Sequence, residues 1–297
     1  MLLALAERRS GTVAGIVLMC AGAAFLCFND AFAKSLMDRY HPVQIIFLRN
    51  LIALPFAILI AYRLGGREAL VSHRPLAHVS RGILWIGAAT LFFTGISRME
   101  LAEATAIVFS APVFVTALSA LFLRESVGWR RWLAVLVGFV GVLIVVRPGS
   151  ATFQPASIYP VATAFLYALL MISARWVDPR ESVWTLMLYL VGGGAVLCLP
   201  LLPFVWVDIH MGDLWQFLGI ALFGTAGITL ITQAFRLAPA AVVAPIDYSG
   251  LIWATVLGWV FWGEIPDLAA YIGAAVIVSS GIVIIIRESR AARKPAS

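Results

Sequence analysis

Asp30, Arg49 and Asp247 are charged side chains that stand inside otherwise apolar stretches of the sequence. An ionisable side chain inside a bilayer costs roughly 2.5–3.5 kcal/mol on insertion scales, so each of them needs a partner or a function. Asp30 and Arg49 are expected at a similar depth, roughly 9–10 Å below one membrane surface, where they could pair. Such a pair either fixes two helices against each other or grips a zwitterion, and both interpretations stay open.

Asp247 follows Pro245 and precedes Tyr248 in an apolar stretch that extends over residues 238–264. It is expected roughly 12 Å inside the membrane, and no basic residue is expected at the same depth. This placement favours a carboxylate that couples protons or binds an ammonium group. A satisfied contact between two helices is the open alternative.

Aromatic residues accompany these charges in the same helices. Tyr and Trp offer flat apolar faces with one polar handle, which suits stacking against a bulky apolar or aromatic ligand. Packing or lipid contact is the alternative for any single aromatic residue. The residues predicted to bind substrate are Asn29, Asp30, Arg49, Trp85, Tyr167, Asp247, Tyr248 and Trp253.

The composition is that of a membrane protein that crosses the bilayer several times. Of 297 residues, 62% are hydrophobic and 12% charged, and the mean hydropathy is +0.97. Soluble domains carry about 25% charged residues. The net charge of +6 comes from Lys and Arg in the short breaks between apolar runs, so it concerns membrane orientation rather than nucleic acid.

The three cysteines, Cys20, Cys27 and Cys198, fall inside apolar runs without a CxxC or Cys/His pattern, so neither a disulfide framework nor a metal site is expected. The run over residues 11–28 and the Ala31-Phe32-Ala33 that follows imitate a secretory signal. The run is longer than a signal core, which has roughly 7–15 residues, so a first transmembrane helix is predicted instead.

Apolar windows of about 20 residues, each bounded by charge, proline or glycine, indicate the membrane spans. No soluble domain or long linker separates them. The ten windows are 11–36, 42–62, 76–97, 103–123, 130–147, 156–176, 183–204, 213–235, 239–262 and 268–286.

The basic residues indicate the orientation of these spans. Of the 21 Lys and Arg residues, sixteen fall on the side of the N-terminus, and Arg49 falls inside the second window. The other side holds only Lys34, Arg39, Arg98 and Arg147. The positive-inside rule therefore predicts that both termini are cytoplasmic.

One segment occurs twice in the chain. ELAEATAIVFSAPVFVTALSALFLRE, ending at Glu125, resembles RLAPAAVVAPIDYSGLIWATVLGWVFWGE, ending at Glu264. The unit of repetition is five helices, over residues 1–150 and 151–297, and an odd number inverts the second copy in the membrane. Pro112 and Pro245 interrupt matching helices and are predicted as gating positions. Inverted repeats with interrupted helices are typical of secondary transporters.

Several motifs resemble the EamA-type branch of the drug/metabolite transporter superfamily. They are Leu-Ala-x-Ala before a proline in each repeat, N-D-A-x-A-K at Asn29 to Lys34, H-P-x-Q-x-x-F-x-R at His41 to Arg49, and G-x-x-G before R-P-G at Gly138 to Gly149. The resemblance implies a ten-helix carrier with helices 1, 3, 4, 6, 8 and 9 around a central cavity. It also implies that helices 5 and 10 lie at an edge or a dimer contact.

The sequence therefore predicts an all-α membrane protein of the inner membrane that carries small metabolites by alternating access. Export of large apolar or aromatic amino acids is favoured. Uptake of a nucleoside-like sulfonium compound and nucleotide-sugar exchange are the alternatives within transport. No P-loop or HExxH motif is present, so ATP-driven transport is not expected and an intramembrane enzyme is the weaker alternative. No catalytic residue, metal or cofactor is expected, while proton coupling and a homodimer stay open.

Overall fold

The computed structural model describes residues 2–122, 129–147, 154–173, 177, 180–238 and 246–292. Regular structure in these residues is helical, and they contain no strand, which confirms the predicted all-α class. Short helical turns occur at Arg67–Leu70, Pro155–Ser157, Leu199–Leu201, Leu202–Val205 and Met211–Asp213. The longer helices are α1 (Leu2–Leu36), α2 (Pro42–Gly65), α3 (Pro75–Ile96), α4 (Leu101–Val108), α5 (Ala111–Phe122), α6 (Trp129–Val146), α7 (Ile158–Ser173), α8 (Val183–Cys198), α9 (Leu214–Leu237), α10 (Gly250–Trp262) and α11 (Leu268–Ala292).

Many of these helices are suited to a bilayer. In the described residues, 7 stretches are long and apolar enough to cross a membrane, the first being Val13–Leu36 and the last Met211–Phe235. Shorter apolar helices cover Trp132–Val146, Gly250–Trp262 and Leu268–Val283. A helix satisfies its backbone N–H and C=O groups internally, which a spanning segment must do where water is absent. The chain is therefore a multi-pass membrane protein.

Two of the ten apolar windows, those in which Pro112 and Pro245 are predicted to interrupt a helix, are not single continuous helices in the described residues. The window over residues 103–123 contains two helices, because α4 ends at Val108 and α5 begins at Ala111. Pro112 is the second residue of α5, where the missing N–H of proline removes no helical hydrogen bond. In the window over residues 239–262, α10 begins only at Gly250, while Pro245 lies outside the described residues.

Contacts divide the chain into two compact units. The first unit contains Met1–Cys27, Glu100–Pro155 and Ala226–Ser297, and the second contains Phe28–Met99 and Ala156–Thr225. Each unit combines segments from both predicted repeats, so the grouping follows packing and not chain order. The division into repeats at residue 150 stays a prediction.

In the second unit, α2 packs on α8, and α3 packs on α7 and α8. Arg81 is one of the sixteen basic residues that the sequence assigns to the side of the N-terminus. In the structure it lies buried in α3. Its Nη1 donates hydrogen bonds to the Leu170 carbonyl at 2.9 Å and to the Ser173 hydroxyl at 3.1 Å, in the last turn of α7. A cation at this position stabilises the negative end of the α7 dipole.

The segment before α3 is fastened to the start of α8 by Glu181. Its carboxylate lies 2.6 Å from His78 Nε2 and accepts hydrogen bonds from the Ser72 hydroxyl and the His73 amide. Burial alone would raise the pKa of Glu181, but the hydrogen bonds from His78, Ser72 and His73 outweigh it and lower this pKa below its ordinary value. Glu181 therefore joins two connections that are distant in sequence.

In the first unit, α6 packs on α11, α4 on α10 and α5 on α6. Glycines allow the α6 and α11 backbones to approach closely. A Cβ on Gly273 would stand 2.9 Å from the Gly141 carbonyl oxygen, and one on Gly141 would stand 3.0 Å from the Ile277 nitrogen. Small residues at such a contact are typical of helix pairs in membranes.

Candidate functional site

The residues predicted to bind substrate occur in both units. The second unit contains Asn29, Asp30, Arg49, Trp85 and Tyr167, and the first contains Asp247, Tyr248 and Trp253. Two local arrangements follow, one within each unit.

The first arrangement is the Arg49 cluster, defined as Asn29, Asp30, Arg49, Asn50 and Trp85. Helix α1 presents Asn29 and Asp30, and the Asn29 Nδ2 donates a hydrogen bond of 2.8 Å to the Asp30 carboxylate. Helix α2 presents Arg49, which is 5% exposed. The two charges attract each other, but in the described part of the chain no Asp30 oxygen lies within 4.0 Å of an Arg49 nitrogen. The direct ion pair considered from the sequence is therefore absent.

The Arg49 guanidinium instead stacks on an aromatic ring. Its Cζ lies 5.4 Å from the centroid of the Trp85 ring, within the range of a cation–π interaction. No described residue makes a hydrogen bond with the guanidinium. Five N–H donors of a buried cation are thereby left for a ligand, and a carboxylate matches their geometry.

Gly224 of α9 borders the same cluster. A Cβ at this position would stand 2.6 Å from the Asn29 Oδ1 and 3.0 Å from the Arg49 Nη2. The Asn29 Oδ1 is buried and has no hydrogen-bond partner in the described residues. The Asn29 amide oxygen and the Arg49 guanidinium therefore both lie against Gly224, where a larger side chain would not fit.

Asn50 is a member of the cluster that the sequence reasoning missed. It is 1% exposed, and its Nδ2 has no hydrogen-bond partner in the described residues. A Cβ on Gly194 would stand 2.5 Å from this nitrogen and 3.7 Å from the Trp85 Cδ1. Buried polar atoms are hydrogen-bonded in most proteins, so the unpartnered atoms of Asn29 and Asn50 require an explanation. The sequence contained a signal for Asn50, because this polar residue directly follows Arg49 inside an apolar window.

We expect Gly224→Ala to weaken ligand binding by about tenfold, because the added methyl group displaces the Asn29 oxygen or the Arg49 guanidinium and overpacking costs about 1–3 kcal/mol. Gly193→Ala is the matched control, since both glycines are helical and a Cβ on Gly193 has no neighbour within 4 Å. Ligand-induced thermal shifts of the two purified variants give the comparison. Equal shifts for both variants would separate Gly224 from the binding site.

The remaining aromatic residue of the second unit, Tyr167, lies on α7 and is 38% exposed. Its predicted role in binding stays a prediction from the sequence.

The second arrangement lies where helices are interrupted in the first unit. The Phe109 ring, between α4 and α5, meets the Tyr248 ring edge-on at a centroid distance of 5.1 Å. The Cys27 thiol of α1 donates a hydrogen bond of 3.1 Å to the carbonyl oxygen of Gly250, the first residue of α10. The Tyr248 hydroxyl packs against Gly281 and has no hydrogen-bond partner among the described residues.

Asp247 is helical and directly precedes the turn at Tyr248 and Ser249 that leads into α10, and the Ser249 amide donates to the Ile246 carbonyl at 2.9 Å. It is half-buried, and it makes no hydrogen bond or ion pair with the described residues. Trp253, also half-buried, follows in the first turns of α10. The carboxylate is therefore available to a proton or to a ligand.

Carboxylates gather at the start of α4, which the sequence reasoning did not select. We define the α4 acidic cluster as Glu100, Glu103, Glu264 and Asp267. Glu264 accepts a hydrogen bond of 2.9 Å from the Leu101 amide and so caps α4. The sequence contained a signal for this cluster, because Glu103 is a charged residue inside an apolar window. Glu103 was not selected because it lies at the very edge of that window.

Apolar spanning helices, two interrupted segments and charged side chains buried within spans together define the class of polytopic membrane transporters. The sequence profile of the EamA-like transporter family matches residues 13–147 and again residues 154–287. The chain belongs to the EamA-like transporter family, as its motifs predict, and its relatives are named transporters of the drug/metabolite type.

Relatives of this chain are named as transporters of different small molecules. An S-adenosylmethionine uptake transporter of Rickettsia bellii is 29% identical over 90% of this chain and 91% of its own length. A riboflavin transporter of Rhizobium johnstonii is 30% identical over 98% of this chain and 96% of its own. A pseudopaline exporter of Pseudomonas aeruginosa is 26% identical over 91% of this chain and 95% of its own.

A solved crystal structure shares the fold. It has a TM-score of 0.62 and covers 96% of this chain and 99% of its own, with 19% sequence identity. This similarity concerns the fold alone.

Proposed function

We propose that the protein is a secondary transporter of the inner membrane that exports amino acids, with a preference for large apolar or aromatic side chains. It works by alternating access, in a topology of ten transmembrane helices with both termini in the cytoplasm. The substrate is recognised through its charged amino-acid end at the Arg49 cluster.

The observation that carries this proposal is that Arg49 is buried without a hydrogen-bond partner among the described residues. A guanidinium that is 5% exposed stacks on Trp85 and has no hydrogen bond from its N–H groups to a described residue. Burying a cation without full hydrogen bonding is costly, so a ligand that supplies a carboxylate gains a strong interaction there.

The ammonium end of a zwitterionic substrate can bind to hydrogen-bond acceptors in the same cluster. The Asn29 Oδ1 is buried without a partner, and the Asp30 carboxylate receives one hydrogen bond from the Asn29 amide. An ammonium group brings three donors and a positive charge. Acceptors on α1 and donors on α2 therefore suit an α-amino acid better than a simple anion.

Uptake of a nucleoside-like sulfonium compound is the second candidate. It is favoured by the relative named as an S-adenosylmethionine uptake transporter, which is 29% identical over 90% of this chain. S-adenosylmethionine also ends in an amino-acid group, so the same charged residues could bind it. The two candidates differ in the direction of transport and in the bulk beyond the zwitterion.

Purified protein in proteoliposomes tests both candidates. Labelled phenylalanine, leucine and S-adenosylmethionine are offered to liposomes preloaded with the unlabelled compound, and accumulation of label by exchange is measured. A thermal-stability screen with the same compounds reports binding independently, since a ligand of the folded state raises its stability by mass action. Phenylalanine exchange supports an amino-acid substrate, whereas exchange of S-adenosylmethionine alone supports the second candidate. If no compound is exchanged and none shifts the melting temperature, the proposal is wrong.

A further inference from the structure

Glu103 is a buried carboxylate that the proposed substrate site does not use. It lies in the first turn of α4, inside the span Leu101–Leu118, and is 8% exposed. In the described part of the chain it has neither a hydrogen bond nor an ion pair. A carboxylate inside a span without a partner is expensive unless it has a function.

The groups that face Glu103 are Glu100, Glu264, Asp267 and Arg147. Arg147 reaches both oxygens of Asp267 through its Nη2, at 2.6 Å and 2.5 Å. Asp267 also caps α11 by accepting a hydrogen bond of 2.8 Å from the Ala270 amide. The amide of Ala270 and then Arg147 lower the pKa of Asp267 below its ordinary value, so that group stays ionised.

Among the described residues, the charged groups that interact with the Glu103 carboxylate are therefore three other carboxylates and one guanidinium. Arg147 balances the charge of Asp267, and Glu264 is held in place by the α4 amide of Leu101. Apart from Arg147, the charged groups that act on Glu103 among the described residues are carboxylates, and Glu103 is 8% exposed. Neutralising one carboxylate with a proton is the simplest way to relieve this repulsion.

We propose that Glu103 binds and releases a proton during the transport cycle, as a proton-coupling group of α4. The carboxylate takes the proton from water and later returns it to water, and no other bond changes. This inference rests on the proposed transport function but not on which substrate is carried.

Helix α4 offers a route by which this charge change can act. Its first residue, Leu101, is held by Glu264, and its end reaches Phe109, whose ring contacts Tyr248. Glu103 and Phe109 are separated by roughly 9 Å of helix rise. Removing the negative charge of Glu103 weakens the repulsion from Glu264 and Glu100, so α4 can change its position against α10. The change is then passed to the turn that follows Asp247.

Infrared difference spectroscopy tests proton binding without any substrate. The pH of membranes containing the full-length protein is changed, and the C=O stretch of protonated carboxylic acids is recorded. We expect the wild type to show a band that Glu103→Gln removes and Glu103→Asp retains at a shifted frequency. Glu68→Gln, which changes an exposed carboxylate, should leave the band unchanged. A band of equal intensity in the wild type and in Glu103→Gln would overturn the proposal.

Transport in proteoliposomes tests the coupling. With the probe that the wild type exchanges, phenylalanine or S-adenosylmethionine, an imposed pH gradient should accelerate net transport by the wild type. Glu103→Gln should keep exchange and lose this acceleration, and Glu103→Asp should restore part of it. Loss of exchange in Glu103→Gln would mean a structural or substrate-binding role and would overturn the proposal. If the wild type moves neither probe, the proposed function fails, and the infrared result alone decides whether Glu103 binds a proton.

Discussion

Replacing Arg49 with Gln is expected to weaken substrate binding by at least about 30-fold, because truncating one partner of a buried charged contact costs about 2–5 kcal/mol. The substrate carboxylate loses the planar N–H donors that the Trp85 ring holds in position. Gln keeps an amide N–H donor, but it is shorter than Arg and brings no charge. Binding is measured by thermal shift, and transport by exchange in proteoliposomes.

This single change also removes the charge that faces Asp30, so loss of activity could reflect loss of folding. Leaving a buried charge without its partner destabilises a protein by about 3–5 kcal/mol. The double variant Asp30→Asn/Arg49→Gln removes both charges and should regain much of the lost melting temperature. It should nevertheless remain inactive, because neither end of a zwitterion is recognised.

Arg49→Lys is the third member of the series. It keeps the positive charge and should preserve stability better than Gln, yet it lacks the forked donors and the flat face that stacks on Trp85. We expect it to bind the substrate more weakly than the wild type. If the double variant transports normally, the two charges only join α1 to α2, and the binding role of Arg49 is excluded.

The second large effect is expected for Asp247→Asn, which should abolish the dependence of transport on a proton gradient. The substitution keeps the shape of the side chain and removes the group that can gain or lose a proton. Since Asp247 has no hydrogen bond or ion pair with the described residues and Asn keeps its shape, the protein should remain folded.

Transport is measured over a pH series for the wild type, Asp247→Asn and Asp208→Asn, the last of which changes an exposed carboxylate. The control should follow the wild type at every pH. Asp247→Asn should exchange substrate at a rate that varies little with pH. Kinetics that match the wild type at all pH values would remove Asp247 from the mechanism.

The helical membrane fold follows from local properties of the sequence. A bilayer core requires about 20 apolar residues in a segment that satisfies its own backbone, and both requirements can be read from one window at a time. The family could be identified for the same reason, because its motifs are short runs such as Asn29 to Lys34. The interruption near Pro112 was also indicated locally, although the break falls two residues earlier, at Ser110.

The sequence predicts the depth of a residue in the membrane, but it does not predict the partners of that residue. The helical rise places Asp30 and Arg49 at similar depths, and that is the information one helix contains. Which way each side chain points depends on how α1, α2, α3 and α9 pack. Only the tertiary structure therefore showed that Arg49 stacks on Trp85 and meets Asn29 at Gly224.

The sequence by itself determined the class of protein, its family and the charged residues whose position inside a membrane span requires an explanation. The tertiary structure decided which groups surround those charges. Glu103 makes the difference plain, because Glu264, Asp267 and Arg147 come from segments 44 to 164 residues away along the chain. Contacts over such separations arise from packing, which no single window of sequence contains.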